Sequence, residues 1–210
     1  MLKHLISCFV LVLAGAGVAS SATVYQNTDT DTFVTYFHSV GPYSEIGDAI
    51  TLGGTERLLN SAAVQFYNDG SAGTFDAELR FWETGGPVGA QIGGAFLMSG
   101  ISIGAQGIET VTFSDLNLLV LDNIIFTVGL LNVGSGVDVG LNAFEPPSIG
   151  SSLNDSLIIR IGSDPFAAVG TAAGEGNLYF QLEAGVPEPS TFVMAGGALL
   201  IGILVSRRKR

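Results

Sequence analysis

The central part of this 210-residue chain predicts an all-β fold, an antiparallel two-sheet β-sandwich or jelly roll, and three observations carry that prediction. Apolar and polar residues alternate: Phe75, Ala77, Leu79 and Phe81 take one face of a strand, and Asp76, Glu78, Arg80 and Trp82 take the other. Turn-forming clusters recur at short intervals, among them Gly85-Gly86-Pro87, Gly134-Ser135-Gly136, Pro146-Pro147 and Gly174-Glu175-Gly176. No segment of the body shows a convincing helical period, and Asp115 to Leu121 is the nearest candidate for a short turn of helix. Many short strands between dense turns suit two packed antiparallel sheets better than βαβ units.

In chain order, Lys3 and His4 precede an apolar run from Leu5 to Leu13, and small residues follow through Ala22. Charged, apolar and small residues in that order define a secretory signal peptide over 1–22. Ser20-Ser21-Ala22 is the expected signal peptidase site, so the mature chain starts at Thr23. Leu5-Ile6-Ser7-Cys8 formally matches a lipoprotein box, but four residues are too few to supply an apolar region ahead of the cysteine. Cys8 therefore goes with the discarded signal, and the mature chain has neither a disulfide framework nor a thiolate metal site.

Residues 23–185 form one extracytoplasmic domain, long enough to bury an ordinary core. Strands are expected at 24–27, 32–38 and 48–52. The runs around Leu58 to Phe66 and Phe75 to Trp82 follow, and they read as one hairpin joined by the turn segment Asn68 to Gly73. Further strands are expected at 94–102, 108–113, 123–131, 137–143, 156–161 and 177–183. The run Asn177-Leu178-Tyr179-Phe180-Gln181 resembles part of a protease tag, yet it lies inside the last of these strands, and coincidence is the better reading.

The tail, 186–210, has three parts with separate physical jobs. Pro187 and Pro189 fix φ and favour extended neighbours, so Val186-Pro187-Glu188-Pro189 reads as a stiff exposed spacer. Ser190 or Thr191 caps a helix that is apolar all round through Val205. Its charge-free span covers roughly 25 Å, slightly less than the ~30 Å hydrocarbon core, so it crosses with local thinning or snorkelling arginines. Arg207, Arg208, Lys209 and Arg210 follow directly, which leaves the C-terminus cytoplasmic and everything before Ser190 outside.

This order of parts resembles the PEP-CTERM sorting signal of Gram-negative bacteria. The resemblance implies recognition by an exosortase, a membrane cysteine peptidase, and delivery to the surface of cells that make exopolysaccharide. The plainer alternative is a membrane anchor with a proline-rich stalk.

Charge narrows the partners. Five of the eight basic residues lie in the two terminal segments, so the exported part has Arg57, Arg80 and Arg160 against 19 acidic residues, a net charge of −16. Such a body repels nucleic acid and anionic membrane surfaces. The acids read mainly as solvated residues on outward strand faces and turns.

Chemistry is sparse. The single histidine of the mature chain, His38, ends an apolar run and suits a strand end better than a catalytic triad. Zinc-protease spacing and phosphate-binding glycine loops are absent, and no cofactor is expected. Two carboxylates would suffice for glycoside hydrolysis, but Glu78 and Glu83 fall on opposite strand faces. Asn27, Asp29 and Asp31 form an alternating oxygen-rich run, with Asp29 and Asp31 as candidates for calcium, although the glycine and distal glutamate of an EF-hand loop are missing. A hydrated strand or loop explains them equally well. The only tryptophan, Trp82, shares the polar face with Arg80 and Glu78, a combination that suits a sugar platform as well as packing.

The leading expectation is a non-enzymatic surface or extracellular-matrix protein. A carbohydrate-binding module on the same scaffold comes second, with extracellular polysaccharide as partner, and an extracellular hydrolase third.

Overall fold

A computed structural model of the chain describes residues 21–37, 43–86, 88–152, 156–170 and 177–185. Residues 1–20 of the expected signal peptide, His38, Val186, the Pro187-Glu188-Pro189 motif, the apolar span and the basic cluster Arg207 to Arg210 lie outside them. The described residues contain fifteen strands and no helix. In order these are β1 (Ser21–Asn27), β2 (Asp31–Phe37), β3 (Tyr43–Thr51), β4 (Leu58–Asn68), β5 (Gly73–Glu83), β6 (Gln91–Ile103), β7 (Ile108–Phe113), β8 (Leu118–Leu119), β9 (Asn123–Leu131), β10 (Val139–Phe144), β11 (Ser151–Ser152), β12 (Ser156–Ile161), β13 (Ala167–Gly170), β14 (Asn177–Leu178) and β15 (Phe180–Gly185).

All pairings are antiparallel and fall into two sheets. The eight-stranded sheet runs β1-β15-β4-β10-β14, with β2 added on β10 and β7 and β8 added on β4. The seven-stranded sheet runs β13-β12-β3-β9-β5-β6, with β11 on β3. The inner faces share one apolar core, in which Phe126 stacks on Phe180 at 3.6 Å and Phe66 meets Phe75 edge-on at 5.0 Å. The tag-like run Asn177 to Gln181 lies in the eight-stranded sheet, across β14 and β15, and its Asn177, Leu178 and Phe180 are buried.

Alternation assigned the faces of β5 correctly: Phe75, Ala77, Leu79 and Phe81 are buried. Leu79→Ala should cost about 2–5 kcal/mol in a urea unfolding titration, because it leaves a cavity between sheets that cannot collapse onto it. A loss below about 1 kcal/mol would contradict this packing.

The expected hairpin of β4 and β5 is not formed. β4 pairs with β15, β10, β7 and β8, whereas β5 pairs with β6 and β9 in the other sheet. The segment between them is an arch that carries the chain from one sheet to the other, so the two apolar faces oppose each other. Asn68, fully buried, holds the arch together. Its amide donates to the Ser71 and Gly104 carbonyls, each at 2.8 Å, and its oxygen accepts from the Gly70 and Asp138 amides at 3.0 and 2.9 Å. Gly70 is tied to this loop sterically, since a Cβ there would run into the Gly136 carbonyl and the Asp138 backbone.

The candidate helical turn Asp115 to Leu121 is also corrected. Leu116, Leu118 and Val120 are buried while Leu119 and Leu121 are exposed, which is a strand alternation. Asp115 and Asn117 both take positive φ, and β8 pairs with the start of β4.

Candidate functional site

The outer face of the seven-stranded sheet gathers most of the polar chemistry that the sequence singled out. Register places Glu78 of β5, Gly129 of β9, Glu45 of β3 and Arg160 of β12 in one row across four strands. The next row is Arg80, Thr127, Gly47 and Ile158. Gly47 is required where it stands, because a Cβ would collide with the Phe126 carbonyl and the Thr127 backbone of β9.

Glu45 is the centre of this site, with its side chain only 3% exposed. The guanidinium groups of Arg80 and Arg160 both donate to its Oε1, and the Thr127 hydroxyl donates to its Oε2 at 2.7 Å. Arg80 also pairs with Glu78. Trp82 donates its indole N–H to Thr127 at 2.9 Å, which extends the chain of bonds from Trp82 through Thr127 to Glu45. Phe166 meets the Trp82 ring edge-on at 5.0 Å, and the Arg160 guanidinium lies 4.8 Å from the Phe166 ring.

The expected trio Trp82, Arg80 and Glu78 therefore does share a face, and the structure adds Glu45, Thr127, Arg160 and Phe166 to it. The groups are spent on one another. Two arginines balance two glutamates, both Glu45 oxygens are occupied, and the half-buried Trp82 has given its N–H to the sheet beneath it. Such an arrangement braces four strands with charge-assisted hydrogen bonds.

The third arginine of the body is committed as well. Arg57 pairs with Asp122 at 2.7 Å and donates to the carbonyls of Gly53, Gly54 and Glu56. With Thr84, Val120, Leu121 and Asn123 these two residues line an open hollow of about 400 Å³.

A second polar cluster faces inward. Asp48 of β3 is buried and accepts from its neighbour Ala49's amide at 2.7 Å. Ser152 of β11 lies 3.0 Å from the Asp48 carboxyl and 2.7 Å from the Asn177 side-chain oxygen. One hydroxyl hydrogen cannot serve both oxygens. Burial pushes the Asp48 carboxyl up to about 7, against the hydrogen bonds from Ser152 and Ala49, which pull it down. Burial, and to a lesser extent the Asp48 charge, also raises the Tyr25 phenol, whose hydroxyl is buried without a partner.

The calcium candidates do not lie on one strand face. Asn27 closes β1 with its side chain buried, donating to the Phe144 and Leu178 carbonyls. Asp29 is exposed in the following turn, where bonds from Ser148, Gln26 and Thr28 hold its carboxyl below the usual range. Asp31 opens β2 and accepts from the Phe33 amide. Among the described residues no three histidine, cysteine, aspartate or glutamate side chains stand together as a metal site.

Fold and site together define a two-sheet β domain whose last strand, β15, runs directly into a tail of Pro-Glu-Pro, apolar span and basic cluster. Residues 185–210 match the family model of the PEP-CTERM protein-sorting motif. The motif implies exosortase-dependent sorting of an exported protein. No curated protein and no solved structure matches the chain.

Proposed function

We propose that this is a non-enzymatic protein of the cell surface or extracellular matrix of an exopolysaccharide-producing bacterium. It crosses the inner membrane behind its signal peptide, halts there with the C-terminus cytoplasmic, and is released by an exosortase-type peptidase near Pro187-Glu188-Pro189. The observation that carries this reading is the sorting motif at 185–210, which begins on the final residue of β15. The −16 charge of the exported part supports it, since acidic surfaces keep a displayed domain soluble and away from anionic membranes. A structural role also accords with the outer-face cluster, where the carboxylates and arginines that a hydrolase or a sugar site would use are paired with each other.

Replacing Pro187, Glu188 and Pro189 together by alanines tests the reading. Export should persist, and the uncut chain should accumulate in the inner membrane fraction, with the surface form largely lost by immunoblot. Unchanged display of a processed form would remove the motif from the sorting pathway.

A further inference from the structure

The first strand of the domain starts earlier than the expected mature N-terminus. Ser21 and Ala22 are already part of β1, and they pair with Gly185 and Ala184 of β15. The Ser21 hydroxyl donates to Glu183 Oε2 at 3.0 Å, beside the bonds that Thr23 and Gln181 make to Oε1 at 2.7 and 2.8 Å. The compact unit to which the domain belongs likewise begins at Ser21.

β15 is an interior strand, held by β1 on one side and by β4 on the other, and Ala184 is fully buried. A mature chain beginning at Thr23 would leave Ala184 and Gly185 paired with β4 alone. That loss would fall on the last two residues of β15.

Signal peptidases act on the extended chain and ask for small residues one and three positions before the cut. Ala22 with Ser20 meets that requirement, and so does Ala19 with Gly17, so the sequence rule does not separate the two bonds. The strand pairing does. We propose that signal peptidase cuts between Ala19 and Ser20, leaving Ser21 and Ala22 in the mature protein as the opening residues of β1. Water adds across that amide, giving a carboxylate on Ala19 and an ammonium on Ser20. The inference rests on export of the domain but not on what happens at its C-terminus.

Mass spectrometry of the N-terminal peptide of the exported protein tests it. The expected peptide starts at Ser20, and a start at Thr23, three residues later, would overturn the proposal. A surface form that retains Met1 would overturn it together with the export reading, so the two failures are distinct. Two variants give an independent arm. Ala19→Leu should block processing and accumulate precursor, while Ala22→Leu should be cut at the same bond as the natural chain; the reverse pattern would assign the cut to Ala22.

Discussion

Arg80→Leu should lower the stability of the exported domain by about 3–5 kcal/mol. The substitution keeps apolar bulk on the outer face of β5 but removes the group that joins Glu45 to Glu78. Glu45 would then be left with Arg160 and Thr127, and Glu78 would stand in the same cross-strand row without its cation. A buried carboxylate that loses a partner retains its desolvation cost, and that cost makes the effect large. The double variant Arg80→Leu with Glu45→Leu also takes Glu45 from Arg160 and Arg80 from Glu78, so its cost should fall short of the sum of the two single costs only by the coupling of the Arg80–Glu45 pair. Chemical denaturation of the four proteins of the cycle checks both statements. A single-variant cost under about 1 kcal/mol would mean that water reaches Glu45 and the pair behaves as a surface ion pair.

Stability should also fall as pH rises from about 4 to about 7, opposite to the usual acid sensitivity of proteins. In the unfolded chain Asp48 loses its proton near the ordinary aspartate value of 3.8, but in the fold it holds the proton up to about 7. Between those two values the folded state binds one proton more than the unfolded state, so each step up in pH favours unfolding. The stabilisation is complete below the unfolded value and is lost through the folded one. Its full size is roughly 4 kcal/mol. Asp29, Glu56, Asp76 and Glu183 act in the opposite sense, since their carboxyls are held below their usual values and stabilise the fold only once ionised. Their contribution disappears as pH falls below about 4, which places the stability maximum at mildly acid pH. Asp48→Asn can keep the bond to Ser152 without a titrating proton, so it should flatten the slope between pH 4 and 8. A variant whose midpoint still falls steeply over that range would shift the effect to another group.

The strand pattern was legible because alternation is local. Phe75 to Trp82 announces both faces of β5, and Trp82, Arg80 and Glu78 share a face as that alternation requires. Pairing is not local. A hairpin and an arch between β4 and β5 present the same in-and-out pattern, and only the other partners separate them: β15 for β4, and β6 with the sequence-distant β9 for β5. The helical suggestion at Asp115 to Leu121 overlooked a period of two in Leu116, Leu118 and Val120, which the positive φ at Asn117 interrupts. β8, β11 and β14 have two residues each, too few to show any period.

The centre of the outer-face site was missed for a related reason. Glu45 precedes the strand expected at 48–52, and nothing near it in sequence marks it as the acid on which two arginines converge. One signal did exist: with only three basic residues in the exported part, any buried acid there had few cations to meet. Phe166 sits outside any strand, between β12 and β13, and reaches Trp82 only through the tertiary fold.

The account turns on where the chain ends after sorting, and mass spectrometry of the C-terminal peptide from the surface form measures this directly. The domain is complete at Gly185, the last residue of β15, so release near Pro187-Glu188-Pro189 preserves every described strand. The account predicts a surface protein that ends near this motif and lacks Phe192 to Arg210. A surface protein that still ends at Arg210 would contradict it and would make the tail a plain membrane anchor.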